Sequence, residues 1–146
     1  MILDLDLLFD EDFTAITTAA TTLGLKSLDM DTTPPDQIGN GNVVCVRFQM
    51  TTGWVGGVGI NFNVIESAFA ALTSPTVVAA SGVVLTAQLG VGAGFNLEIP
   101  IERLLLRYLG VQYVSTGTFS AGAITAGIWL DQQTSKTGWT SHAGFN

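Results

Sequence analysis

The sequence predicts an all-β fold, a single domain of about eight short strands built as a β-sandwich or a barrel. Three observations predict it. Apolar and polar residues alternate with a period of two over residues 42–51, 60–64 and 107–129, the period that sends successive side chains to opposite faces of a strand. Clusters of Gly, Pro, Asn, Asp and Ser break the alternation about every ten residues, the spacing of sandwiches and barrels. No stretch of useful length carries apolar residues at the three-and-four spacing of an amphipathic helix.

Taken in order, the chain opens on MILDLDLLFDEDF, in which acids and leucines alternate. FTAITTAATTLGL reads as extended structure because β-branched Thr recurs. DMDTTPPDQIGNGN, with two prolines and a glycine pair, is a loop. Residues 42–51 form the clearest strand, with Val44, Val46, Phe48 and Met50 on one face and Val43, Cys45, Arg47 and Gln49 on the other. GWVGGVGINFNVIES approaches through glycines and then sets Ile60, Phe62 and Val64 against Asn61 and Asn63. Shorter strands are expected at 76–80, 83–88 and 95–101, and IERLLL at 101–106 allows one helical turn. Residues 107–129 read as a β-hairpin about the turn Ser-Thr-Gly-Thr, and the tail DQQTSKTGWTSHAGFN is polar.

The 146 residues are enough for one full core. Charged residues make up only 12% of the chain, about half the usual share, so much of the surface is neutral or covered by a neighbour. The net charge is −7, and the five basic residues, Lys26, Arg47, Arg103, Arg107 and Lys136, are too dispersed to neutralise a run of phosphates. Direct nucleic-acid binding is therefore not expected. Residues 67–97 carry no charge, but Pro75, Gly82, Gly90, Gly92 and Gly94 break any apolar helix, so no membrane span is expected. The acidic N-terminus does not read as an export signal. Cys45 has no second cysteine to pair with and reads as a small buried residue.

The candidate sites have mostly structural readings. GWVGGVG and GVGAG are followed by strand-like segments, whereas phosphate loops open a helix N-terminus, so both read as turns or bulges. A single His142 and a single Cys45 do not suggest a metal centre, and no cofactor is expected. No catalytic residues are assigned, and the chain does not read as an enzyme. Trp129 reads as buried, whereas Trp54, in Thr-Thr-Gly-Trp, reads as the most exposed of the three tryptophans. Asp4, Asp6, Asp10, Glu11 and Asp12, together with Trp54 and Trp139, are the candidate contact residues for a partner. Arg107 and Tyr108 are candidate structural residues, with Glu98 and Glu102 as the expected ion-pair partners of Arg107.

RYLGVQY, the Gly-Thr-Phe turn and SAGAITAGIWLDQQ resemble the C-terminal half of the capsid cement, or decoration, proteins of tailed phages. IGNG before VVCVRFQM, and LTSPTVVAAS before GVGAGFNLEIP, follow the order of that family. The resemblance covers residues 38–133 and is most specific over 107–131; the acidic head and the tail beyond Gln133 depart from it. It implies a jelly roll on the outer face of the virion head that bridges and stabilises major capsid protein subunits. Three segments follow: an acidic arm (1–12), a jelly roll (13–133) and a polar tail (134–146). The alternative is a carbohydrate- or receptor-binding β-sandwich displayed on a virion. Neutral strand surface also predicts self-association, as a two-fold dimer in preference to a trimer.

Overall fold

The computed structural model describes residues 7–31, 44–99, 104 and 106–129 and, of residue 129, the backbone alone. Among them are nine strands: β1 (Leu8–Phe13), β2 (Thr21–Leu23), β3 (Leu28–Asp29), β4 (Cys45–Gly56), β5 (Gly59–Ser67), β6 (Thr76–Leu85), β7 (Gly94–Glu98), β8 (Tyr108–Thr116) and β9 (Phe119–Trp129). One sheet has the order β1-β9-β4-β7 and the other β2-β8-β5-β6, with β3 beside β8. The antiparallel partners are nested: β5 with β6, β4 with β7, β2 and β3 with β8, and β1 with β9. Nested partners describe one long hairpin, and rolling it into two facing sheets brings β4 against β9 and β5 against β8. The chain is a jelly-roll β-sandwich.

Alternation sets which residues fill the space between the sheets. Val44, Val46, Phe48 and Met50 all lie inward and buried, as do Ile60, Phe62 and Val64 from the facing sheet. Phe48 is the hub: its ring centroid lies 5.3 Å from that of Phe62 and 5.4 Å from that of Phe95, and Tyr113 stands edge-on to both Phe48 and Phe62. These rings come from β4, β7, β5 and β8, so they tie the sheets together with about 0.5–1.5 kcal/mol per pair beyond area burial. Cys45 is buried, and its thiol is pushed up, first by desolvation and then by Glu98.

Several expectations are corrected. β8 and β9 do not form a hairpin; the turn between them carries the chain from one sheet to the other. The short strands expected at 76–80 and 83–88 are one strand, β6, with register shifts along its pairing to β5, and Thr86–Gln88 form a single 3-10 turn. Residues 14–20 are a connection between β1 and β2, not part of a strand. The acidic arm does not extend to residue 12, because Leu8–Phe13 is an integral edge strand.

Candidate functional site

Strand direction sorts the connections into two ends. The links β1–β2, β4–β5, β6–β7 and β8–β9 lie together at one end of the sandwich. They are residues 14–20, 57–58, 86–93 and 117–118, and none of them is charged. Every charged residue among the described ones, Asp10, Glu11, Asp12, Lys26, Asp29, Asp31, Arg47, Glu66, Glu98 and Arg107, belongs to the other half, as the register of β1, β3, β4, β5 and β7 requires. Among the described residues, a chain of net charge −7 thus keeps one end free of charge.

That end is studded with large apolar side chains. Val55, Val58, Leu85 and Val91 are 55%, 56%, 52% and 74% exposed. Single exposed apolar residues are ordinary, but four at one uncharged end form the kind of surface that marks an interaction site.

Backbone bonds hold the four connections in one fixed surface. Phe119 N–H donates to Thr17 C=O (3.0 Å), Val58 N–H to Thr116 C=O (2.7 Å) and Thr86 N–H to Val58 C=O (3.1 Å), which links all four in series. The Thr86 hydroxyl also donates to Gly56 C=O (3.1 Å). The β4–β5 turn needs its glycines: Gly57 has φ +57°, and a Cβ there would stand 2.4 Å from the Phe119 ring. A surface fixed before contact loses little conformational freedom on binding.

The expected contact residues fare differently. Asp4, Asp6 and Trp139 lie outside the described residues, as do Glu102 and His142. Glu11 and Asp12 are exposed on β1, with Asp12 beside Thr125 at mid-strand, two residues before the β1–β2 connection begins. Trp54 is only 6% exposed, a correction to its expected exposure: its ring packs edge-on to Phe119 (5.3 Å) and lies over Gly122, where a Cβ would come within 2.2 Å of the indole.

Asp10 is the second correction, because at 1% exposure it offers nothing to a partner. Tyr113 donates its hydroxyl to Asp10 Oδ2 (2.5 Å) and Leu25 its N–H to Oδ1 (2.7 Å), so the carboxyl pins edge strand β1 to β8 in the opposite sheet. Desolvation nonetheless raises the Asp10 carboxyl above its ordinary value of 3.8, against the lowering effect of those two bonds. Between 3.8 and the raised value the native state holds this proton more tightly than the unfolded chain, so the contribution of Asp10 to stability falls as pH rises through that window. Asp10→Asn removes this fall. The melting temperature of the variant relative to the parent is expected to increase from about pH 4 to about pH 7, and a constant difference would contradict the assignment.

Glu102 lies outside the described residues, and Arg107 does not pair with Glu98. Its Nε and an Nη donate to the two carboxylate oxygens of Asp29 at 2.6 and 2.7 Å, with Asp31 at 3.8 Å and the Tyr108 ring centroid 5.4 Å from the guanidinium. This fork ties β3 to the start of β8. The guanidinium holds the Asp29 carboxyl below its usual range, so the stabilisation is present above the ordinary carboxyl pKa and is lost as pH falls through the lowered one. Both side chains are about two-fifths exposed, which limits the effect. Arg107→Ala is expected to lower the melting temperature slightly and to leave partner binding intact; binding lost at unchanged stability would make Arg107 a contact residue instead.

No group of three or more His, Cys, Asp or Glu residues comes together as a metal site among the described residues, and no helix among them is long and apolar enough to cross a membrane. A family model named Bbp16 matches residues 12–128. The chain belongs to the Bbp16 family. The match spans the jelly roll from the last residues of β1 to the penultimate residue of β9, so the uncharged end lies wholly within the Bbp16 region. No curated protein matches the chain.

Proposed function

We propose that this protein is a non-enzymatic capsid cement protein, which binds the outer surface of a phage head and bridges neighbouring major capsid protein subunits. The observation that carries the reading is the uncharged, apolar-studded and hydrogen-bonded end of the sandwich. Such a surface suits a large, permanent protein contact, whose buried centre is depleted of charge. The resemblance of residues 38–133 to phage cement proteins supplies the partner. The mechanism is mass action: binding assembled subunits and not separated ones stabilises the shell by RT ln(1 + [L]/Kd) per site. Self-association as a two-fold dimer belongs to the same reading, since an isologous pair presents two such ends to two subunits.

A carbohydrate-binding module would stack sugars on exposed tryptophans, and Trp54, the one expected to be most exposed, is buried; Trp139 lies outside the described residues. Cosedimentation of the purified chain with undecorated heads of its cognate phage tests the proposal. Saturable decoration is expected; binding to glycans on an array, with none to heads, would favour the alternative.

A further inference from the structure

β1 covers only part of the outer edge of β9. Their pairing runs from Leu8 opposite Gly127 to Phe13 opposite Ile124, and β1 then leaves the sheet. Residues 119–123 of β9 therefore have β4 on one side. On the other, the only main-chain hydrogen bond among the described residues is that from Phe119 to Thr17. The β1–β2 connection stands off from this edge and leaves a groove of about 400 Å³. Thr14, Thr17, Trp54, Ser120, Gly122 and Ala123 line it, and none of its lining residues is charged. The Trp54 ring forms part of its wall, and its buried indole N–H has no acceptor among the described residues.

We propose, resting on the cement reading, that this groove takes an extended, uncharged peptide segment of the major capsid protein, which adds to β9 as a strand where β1 leaves off. An unpaired strand edge is satisfied by another strand, whose carbonyls and N–H groups match it in alternation. Five residues of edge span about 17 Å at ~3.3 Å per residue, enough for a short strand. Ser120, Ala121, Gly122 and Ala123 present small side chains to the groove, and no charged side chain in it competes for the backbone groups of the edge. A charged segment would be desolvated there without a counter-ion. The groove reaches Phe119 and Thr17, which are bonded into the uncharged end, so strand and end form one continuous contact.

The test uses the full chain bound to undecorated heads. Amide hydrogen exchange is measured over residues 119–123 with and without heads, and a photo-crosslinking residue replaces the exposed Ser120. Exchange at these amides is expected to slow at least about tenfold on heads, with the crosslink mapping to one segment of the major capsid protein. Decoration with unchanged exchange at 119–123 and no crosslink to the capsid protein would overturn the strand-addition proposal and leave the cement function standing. A crosslink to a second copy of the chain would replace the proposed occupant. No decoration at all would overturn both.

Discussion

Phe48→Ala is expected to lower the stability of the folded chain by about 4 kcal/mol, and the melting temperature by on the order of 10 °C for a domain of this size. Phe48 is fully buried, and its ring touches those of Phe62, Phe95 and Tyr113. Truncation removes the hub through which β4 and β7 grip β5 and β8, and the facing strands are held by their own ladders and cannot close the gap. Phe48→Leu keeps most of the volume and should lose roughly a third as much. Denaturant unfolding of the two variants checks the ranking; equal losses would mean that the ring contacts contribute little.

Glutamate at both Val58 and Val91 is expected to leave stability almost unchanged and to reduce affinity for phage heads at least about tenfold, a change of ~1.4 kcal/mol or more. Both side chains are more than half exposed, so neither substitution buries a charge in the free protein. In the complex each carboxylate would lose water against an apolar surface, with no partner to replace it. Lysine at the same two positions should weaken binding as well, which separates burial from the general electrostatics of an acidic chain. If only the glutamate pair weakened binding, repulsion by an acidic shell would explain the result and the contact would not be a desolvated one.

The strands were legible because each declares itself locally. The even-numbered phase Val44, Val46, Phe48, Met50 on β4 and the phase of Ile60, Phe62 and Val64 on β5 need no distant residue to be read. Pairing was not legible. Two alternating runs about a glycine turn look alike whether they bond to each other or face each other across a core, and β8 and β9 do the latter because their partners are β5 and β4, far away in sequence. Trp54 carried a usable signal, since it shares the even phase of the inward residues; Thr and Gly around it disguised a strand that runs on to Gly56. Asp10 carried none, because its partner Tyr113 is 103 residues away. For the same reason Arg107 was assigned to nearby glutamates when its carboxylate is Asp29. The uncharged end lay in the sequence as four separate neutral segments, and only the roll of the hairpin brings them together.

The central claim is that the uncharged end is the face that meets the capsid. A reconstruction of decorated heads, fine enough to orient a two-sheet sandwich, tests it most directly. The account predicts Val58 and Val91 against the shell and the Asp29–Arg107 pair turned away from it. A map with the Asp29–Arg107 end seated on the capsid subunits, and Val58 and Val91 facing solvent, would contradict it.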